Sequence, residues 1–290
     1  MIARPSPSAP GDQRQLVVWW LVLAGLACMY LPVYWEAAHG IWKSDDHAHG
    51  VIVLAVVLWL FWTLKKDILI SEIETWPIVG WTLFVLGLCT YVLGRIVNIT
   101  IFEFGSQPMV ISGLLFLMGG LRFIRITWFP IFYLIFMIPL PGIFVDGVTG
   151  PLKSWISNIV VNVLYFAEYP VAHSGVTITV GQYQMLVADA CSGLHSMFSL
   201  TALGTLFIFI VSRGGFLQKF LMLASILPIA FVANVIRVLL LVLITYHFGD
   251  SAGQGFLHGL AGMVLMMIAL LTLFAWDQIL TYFFHDKNLR

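Results

Sequence analysis

Charged side chains are scarce in this 290-residue sequence: Lys, Arg, Asp and Glu together make up 10% of the residues, whereas hydrophobic residues make up 60%. A soluble domain carries about 25% charged residues, so this chain has too few to cover a water-exposed surface. The formal net charge is zero, and no basic stripe is present to neutralise the phosphates of a nucleic acid. The composition therefore predicts an integral membrane protein without a nucleic-acid partner.

Cysteine is also scarce, with Cys28, Cys89 and Cys191 only. No CxxC or Cys/His repeat is present, which argues against a zinc or redox framework, and we expect neither a metal nor another cofactor. Cys28 and Cys89 lie inside apolar runs and are interpreted as packing residues. Cys191 alone has polar and glycine neighbours, in VADACSGLHSM, although a buried structural thiol stays an alternative there.

Long apolar runs, in contrast, are abundant. A helix that crosses a bilayer needs about 20 apolar residues, and eight runs approach that length. We therefore predict an all-α polytopic membrane protein with about eight transmembrane helices, near residues 16–34, 49–64, 76–97, 108–121, 128–145, 191–211, 220–247 and 256–274.

Basic residues are distributed unevenly between the predicted loops. Only Lys43 and Lys153 lie on one side, together with most of the acidic residues, and ten lie on the other: Arg4, Arg14, Lys65, Lys66, Arg122, Arg125, Arg213, Lys219, Lys287 and Arg290. The positive-inside rule then makes both termini cytoplasmic, including the tail formed by residues 1–15. We expect one membrane domain over residues 1–290 in the inner membrane of a bacterium, with the acidic loops in the periplasm.

The longest predicted outer segment covers residues 146–190. Its first part, PLKSWISNIVVNVLYFAEY, has apolar residues at helical spacing and predicts an amphipathic helix on the membrane surface. Its second part alternates around Gly181-Gln182, which predicts a β-hairpin that leads the chain to Cys191.

Three polar side chains lie in or beside predicted spans toward the outer side. Cys191 begins the sixth span, and the N–H groups at a helix N-terminus stabilise a thiolate. Arg237 lies within the seventh span, where inserting a charge costs roughly 2.5 to 3.5 kcal/mol, which indicates a function; a structural pairing with a carboxylate stays an alternative. His258 begins the eighth span and suits a base near neutral pH. A thiol, a guanidinium and an imidazole at one face are the groups of a cysteine acyl-transfer site.

Neighbouring residues support this site and leave alternatives open. Ser192 and Gly193 allow close backbone approach, with N–H groups available to an oxyanion. Asn234 lies one turn before the arginine and is placed to orient the guanidinium. His195 lies one turn after the cysteine and is a rival base.

The segment WKSDDHAHG precedes the second span. Asp46, His47 and His49 suggest a metal site, which would make the protein a chelator-sensitive membrane hydrolase. We favour a structural or substrate-positioning role instead, because Asp46 is placed to cap the helix and His49 to bond a loop carbonyl.

Together these motifs resemble the exosortase/archaeosortase family of membrane transpeptidases. Two positions depart from the family pattern: His195 stands where arginine is common, and Asp189 stands where glutamate is common, which resembles the exosortase B branch. The matching segments extend over nearly the whole chain: His49-Gly50, the IPLPG segment with Pro139 and Pro141, SGVTITV, ACSG with Cys191, NVIR with Asn234 and Arg237, and LHGLAG with His258.

The resemblance implies a mechanism. It implies Cys191 as nucleophile, Arg237 as transition-state stabiliser and His258 as proton carrier. The substrate would be a secreted protein held in the membrane by a C-terminal sorting segment, with a Pro-Glu-Pro motif, one transmembrane helix and a basic end. An acyl-thioester would pass to an unknown acceptor or to water, in a pathway linked to exopolysaccharide and protein sorting. A separate periplasmic accessory protein is a further partner left open.

Two other functions stay open at this point. A transporter that uses the buried arginine predicts ion flux and a dispensable Cys191, although no internal repeat is evident. A non-catalytic component of polysaccharide export predicts that combined loss of the thiol and the imidazole is tolerated.

Overall fold

The computed structural model describes residues 11–43, 49–70, 74–139, 142–186, 193–212, 214–249 and 256–287. Most of these residues are helical. The helices are α1 (Gly11–His39), α2 (His49–Ile70), α3 (Pro77–Val97), α4 (Thr100–Tyr133), α5 (Gly142–Phe166), α6 (Gly193–Ile210), α7 (Phe216–Phe248) and α8 (Phe256–Lys287). Short 3₁₀ turns cover Ile41–Lys43 and Leu134–Met137, and three short strands follow α5.

Five stretches within the described ranges are long and apolar enough to cross a membrane: Val17–His39, Pro77–Val97, Thr100–Met137, Phe216–Phe248 and Met266–Phe284. A shorter apolar helix covers Phe198–Ile210. The prediction of an all-α polytopic membrane protein is confirmed, and the number of eight spans stays a prediction.

The chain divides into two compact units, Met1–Val51 and Ile52–Arg290. In the first unit, the rings of Tyr34 and Trp42 stack with centroids 6.0 Å apart. Gly50 lies against the Trp42 indole so closely that a Cβ at this position would overlap the ring. The first turn of α2 therefore requires glycine at this position. All the elements described below belong to the second unit.

Helices α3 and α4 form a close hairpin because glycines line their contact. Gly80, Gly87 and Gly94 recur every seven residues on α3 and are all buried. A Cβ added to Gly87 would lie 2.9 Å from the backbone nitrogen of Val110 on α4. In the opposite direction, a Cβ on Gly113 of α4 would lie 2.6 Å from the backbone nitrogen of Phe84. The two backbones therefore touch, as in membrane helix pairs built on small residues.

Helix α4 consists of two arms joined at Gly120, whose φ of 65° and ψ of −151° are not helical. This positive φ and the adjacent Glu74 carbonyl oxygen both exclude a side chain here. The first arm packs along α3, whereas the second arm runs back along α6: Phe129 stacks on Phe209 with centroids 3.8 Å apart, and Phe136 in the 3₁₀ turn lies 5.2 Å from Phe198.

The predicted boundaries of the fourth and fifth spans were wrong. The first arm begins at Thr100 rather than at residue 108, because Pro108 is accommodated inside the helix. Helical structure in the second arm ends at Met137 rather than at residue 145, because Ile138 adopts an extended conformation before Pro139. A residue that precedes proline is disfavoured in the α region. The IPLPG motif thus separates α4 from α5.

The chain after α5 forms an antiparallel sheet of three strands in the order β1 (Val171–Ser174), β2 (Thr177–Val180) and β3 (Tyr183–Leu186). Val180 pairs with Tyr183 across Gly181-Gln182, which confirms the predicted hairpin. Strand β1 was not predicted, and it pairs with β2 from Val171↔Val180 to Ser174↔Thr177.

The predicted amphipathic helix is α5, which begins at Gly142 and therefore includes the end of the predicted fifth span. One face of α5 carries the buried residues Ile156, Val160 and Leu164. They pack in one core with residues from the sheet and from α7: Ile178, Val180, Met185, Val238, Leu241 and Val242.

Candidate active site

Arg237 and Asn234 lie on the buried side of α7. Only 8% of Arg237 and 4% of Asn234 are exposed. The three-residue separation places both side chains on one face of the helix, and both take part in further interactions. Burying an ionised side chain in a membrane helix is costly. Asn234 and Arg237 both lie on the buried face of α7, and their predicted roles stay a prediction.

Helices α6, α7 and α8 pack in layers that fix their register. In one layer, Leu200, Ala230 and Ala269 form a single buried cluster, with one residue from each helix. In the next layer, a Cβ on Gly204 would lie 2.9 Å from Ile226 and 3.4 Å from Leu273. Both layers pair α6 and α7 with the same offset, so the two helices run antiparallel without slippage.

This register determines which residues share the level of Arg237. Gly193 precedes Leu200 by seven residues on α6, and Arg237 follows Ala230 by seven residues on α7. Seven residues of helix correspond to about 10 Å in each case. Gly193, the first residue of α6, and Arg237 therefore lie at the same height in the bundle. Gly193 follows Cys191 by two residues.

The backbone of His258 lies in the first turn of α8. It precedes Ala269 by eleven residues, or about 16 Å of helix, which places it about 6 Å beyond the level of Arg237. This is one helical turn. The described backbones therefore bring the starts of α6 and α8 and the middle of α7 to one end of the bundle.

The sheet packs beside the last turns of α7. A Cβ on Gly181 in the hairpin would lie 3.2 Å from the ring of Tyr246, and the Tyr169 hydroxyl lies 3.3 Å from His247 Nε2. Open sheet edges do not occur in the hydrocarbon of a bilayer, because their N–H and C=O groups lack partners there. The final turns of α7 therefore lie at or beyond the membrane surface. Arg237, about 13 Å before Tyr246, is less deep than the length of α7 suggests.

Aromatic contacts hold α6 in place on its other side. Phe209, near the end of α6, packs on Phe129, and Phe198, near the start of α6, packs on Phe136. The second arm of α4 and the 3₁₀ turn after it thus contact α6 through aromatic rings near the two ends of this helix. This arrangement fixes the height of the α6 N-terminus in the bundle.

Several predicted site residues lie outside the described residues. Asp189, Cys191 and Ser192 are among them. Gly193 is the first residue of α6, and the backbone of His195 lies in its first turn. His49 begins α2, is half-buried and belongs to the first compact unit.

Metal ligation has no support within the described ranges, where no three His, Cys, Asp or Glu side chains cluster. Of the alternative metal site near the second span, only His49 belongs to the described residues, because Asp46 and His47 lie outside them.

A buried acid in α8 was not predicted from the sequence. The Asp277 carboxylate accepts hydrogen bonds from Ser212 Oγ at 3.1 Å and from Gln218 Nε2 at 2.9 Å. All three residues are buried. The eighth helix was expected to end at residue 274 but continues to Lys287, so the acid lies inside it. The sequence does contain one signal for this buried acid, namely a carboxylate within one turn of the end of an apolar run.

Asp277 does not pair with Arg237. It lies eight residues from Ala269 in the direction away from the arginine, so about 22 Å of helix separates the two levels. The network of Ser212, Gln218 and Asp277 instead joins the segment after α6 to α7 and α8 at the opposite end of the bundle.

Arg95 has a partner of its own: its Nη1 lies 3.2 Å from Glu103 Oε1 across the α3–α4 hairpin. Glu103 is buried, whereas about a third of the Arg95 side chain is exposed. Its ion pair with Glu103 gives it a structural role in the hairpin.

Comparison with known proteins gives one match. The transmembrane exosortase family model matches residues 41–275. No curated protein and no solved structure matches the chain. The matched range includes α7 with Asn234 and Arg237, the sheet, and the starts of α6 and α8. Since this range covers well over half of the 290 residues, the chain belongs to the transmembrane exosortase family.

Proposed function

We propose that this protein is a cysteine peptidase and transpeptidase that cleaves the C-terminal sorting segment of secreted proteins at the outer face of the inner membrane. Family membership supports a sorting-related transpeptidase role in a membrane. The observation that carries the finer proposal is the common level of Arg237 and the first residue of α6, because the latter follows Cys191 by two residues.

In this proposal Cys191 is the nucleophile, placed just before a helix N-terminus whose backbone N–H groups stabilise the thiolate. Arg237 donates its guanidinium N–H groups to the oxyanion, and Asn234 orients the guanidinium from one turn away. His258, one turn above that level, carries the proton. Ser192 and Gly193 supply further N–H donors.

The reaction has two steps. The Cys191 thiol transfers its proton to His258 and attacks the scissile carbonyl carbon, and Arg237 binds the resulting oxyanion. The C–N bond then breaks, His258 protonates the leaving amine, and an acyl-thioester forms. An acceptor amine, hydroxyl or water next loses a proton to His258 and attacks the thioester carbonyl. The C–S bond then breaks, and the released Cys191 thiolate takes the proton back from His258.

The proposed substrate is a secreted protein with a Pro-Glu-Pro-type motif followed by one transmembrane helix and a basic end. The side of the membrane follows from the basic residues, which make the termini cytoplasmic. The sheet and the start of α6 then face the periplasm. The B-branch assignment and a separate periplasmic accessory protein stay predictions.

A reporter protein with such a C-terminal anchor tests the proposal. It is co-expressed with the wild-type protein, with Cys191→Ala or with Cys89→Ala, and its mass is measured by gel and mass spectrometry. We expect the wild type and Cys89→Ala to shorten the reporter. Cys191→Ala should leave it intact although the variant accumulates in the membrane. Cys89 is an exposed thiol on α3 and serves as the matched control.

Equal shortening by Cys191→Ala would contradict the assigned nucleophile. A reporter that no variant shortens would contradict the proposed substrate class. Failure of a thiol-reactive probe to label Cys191 in that case would favour the non-catalytic component of polysaccharide export.

A further inference from the structure

Helix α5 presents three different surfaces along its length. The buried row, formed by Ile156, Val160 and Leu164, packs with the sheet and α7 in one core. The apolar positions that predicted an amphipathic helix are therefore only partly used inside the protein. Two further rows at three- or four-residue spacing lie on the outward side of the helix. The apolar row is Trp155, Ile159, Val163 and Phe166, and the polar row is Ser154, Asn158, Asn162 and Tyr165.

The apolar row is exposed along its whole length, from Trp155 at 63% to Phe166 at 87%. Contact of such side chains with water is unfavourable roughly in proportion to their exposed area. The row is about 16 Å long and one side chain wide. A strip of this size is far smaller than the roughly 800 Å² that each partner buries in a specific protein interface. It therefore suits insertion into lipid better than the binding of another protein.

The polar row indicates how α5 is oriented. Asn158 and Asn162 are exposed and lie directly beside Ile159 and Val163. In a helix that crosses the membrane, both rows would pass through the same depths, and the two amides would face hydrocarbon, which is strongly unfavourable for an amide without a partner. In a helix parallel to the membrane plane, one row faces lipid and the other faces water over all three turns. The two adjacent rows therefore favour the parallel orientation.

The sheet sets the depth of α5. Ile156 packs with Ile178 and Val180 of β2 in the same core. Open sheet edges do not occur in the hydrocarbon of a bilayer, so α5 lies beside the sheet at the boundary between lipid and water. Trp and Tyr side chains concentrate at this boundary, because each has an apolar ring and a polar group that forms hydrogen bonds. Trp155 and Tyr165 lie near the two ends of the exposed rows.

We propose that α5 lies in the plane of the membrane and binds the lipid surface on the side of the sheet. The apolar row is inserted among the headgroups and the first acyl carbons of that leaflet, and the polar row faces water. This contact with lipid holds whether or not the protein cleaves a sorting segment. Val238, the residue after Arg237, belongs to the core that α5 shares with the sheet. The insertion of α5 therefore fixes the depth of this part of α7 relative to the membrane surface.

Adjacent positions in the two rows provide matched probes. Single cysteines replace Asn158, Ile159, Asn162 or Val163 in a chain whose three native cysteines are changed to alanine. Each variant carries a nitroxide label and is reconstituted in vesicles of phosphatidylethanolamine and phosphatidylglycerol. Electron paramagnetic resonance then measures collisions of the label with oxygen, which concentrates in lipid, and with a water-soluble nickel complex.

We expect the labels at positions 159 and 163 to collide mainly with oxygen and to lie about 5 to 10 Å below the headgroup boundary. The labels at 158 and 162 should collide mainly with the nickel complex. Access to oxygen at all four positions would mean that α5 crosses the membrane. Access to nickel at all four would mean that the apolar row stays in water. Low access to both reagents at 159 and 163 would mean that protein covers the row. Each of these three results would overturn the proposal.

A pair of charge variants tests the same contact without labels. Ile159→Asp places a carboxylate in the apolar row, and Asn158→Asp places the same charge in the neighbouring polar row. We expect Ile159→Asp to lower the midpoint of thermal unfolding in the vesicles, because its charge must leave water. Asn158→Asp should unfold at the wild-type midpoint. Equal midpoints for the two variants would contradict the insertion of the apolar row.

Discussion

Arg237 distinguishes this molecule at the scale of single residues, because it is a buried cation in a chain with few charges. Arg95, at the end of α3, differs from it in exposure: about a third of its side chain is exposed, and its guanidinium lies 3.2 Å from the Glu103 carboxylate. The acid in α8, Asp277, is occupied at the far end of the bundle by Ser212 and Gln218. The position of Arg237 near the start of α6 suits stabilisation of a negative charge that develops during a reaction.

Arg237→Lys tests this role while keeping the positive charge. Lysine lacks the planar fork of donors that a guanidinium offers to an oxyanion, and loss of one such donor lowers kcat on the order of 100-fold or more. We expect a reporter-cleavage rate reduced by at least that factor, with normal abundance of the variant in the membrane. Near-normal cleavage would show that Arg237 supplies only charge or packing.

The sequence was most informative about which single residues are candidates for the site. A cysteine with polar neighbours, an arginine inside an apolar run and a histidine at the start of a span each differ from their surroundings. Asp277 was not predicted because it lies just beyond the apolar run that defined the eighth span. Its partners Ser212 and Gln218 are more than 58 residues away in the chain, and no local pattern connects them.

At the scale of elements, the α3–α4 hairpin depends on backbone contact. Gly87 on α3 faces the backbone of Val110, whereas a Cβ added to Gly105 on α4 would meet nothing within 4 Å. These two glycines differ in contact although both lie inside transmembrane helices. They therefore form a matched pair for the same substitution.

Gly87→Ala should lower stability, and Gly105→Ala should not. A methyl group at position 87 must push the helices apart, which costs about 1 to 3 kcal/mol for an overpacked site. At position 105 the change removes backbone freedom from the unfolded chain and stabilises by about 0.5 to 1 kcal/mol. Thermal unfolding of the two purified variants in detergent should give midpoints on opposite sides of the wild-type value. Equal midpoints would refute the close-contact account of the hairpin.

Helix boundaries were predicted wrongly where proline lies in or beside an apolar run: the fourth span was started at Pro108, and the fifth was extended past Pro139. Hydropathy alone did not distinguish a helix that begins at Thr100 from one that begins at Pro108, since a proline inside a membrane helix is tolerated. The turn at Gly120 was not predicted because a left-handed conformation depends on the neighbouring Glu74 carbonyl, which is a tertiary contact. Strand β1 is too short for its alternation to be recognised.

At the scale of the whole molecule, composition predicted the class of protein, whereas long-range packing sets the relative levels of the candidate site residues. The 60% hydrophobic content leaves only membrane architectures. The levels of Gly193, Arg237 and His258 depend instead on the offset between three helices, which side-chain layers such as Leu200–Ala230–Ala269 set. Periodicity identifies helices but carries no information on their relative heights.

The sheet resolves a difficulty in the depth that the sequence predicts for Arg237. Counted along α7, Arg237 is too far from the helix end to meet a nucleophile at the membrane surface. Strands β2 and β3 pack on Val238, Leu241 and Val242, so this part of α7 is covered by the sheet, whose backbone N–H and C=O groups are polar. The membrane surface therefore lies nearer to Arg237 than the end of the helix does.

The central claim is that Cys191 and Arg237 share one site. In a chain with Cys28→Ala and Cys89→Ala, Arg237→Cys is treated with a short bifunctional thiol reagent. A protease site is inserted between α6 and α7, and the chain is cut there after the treatment. The two halves stay joined on a denaturing gel only if the reagent has linked Cys191 to the introduced cysteine. Leu240→Cys, one turn away on α7 and 40% exposed, is the control. We predict joined halves for position 237 and separate halves for position 240. Separate halves for position 237, with both thiols reactive toward a monofunctional reagent, would contradict the account.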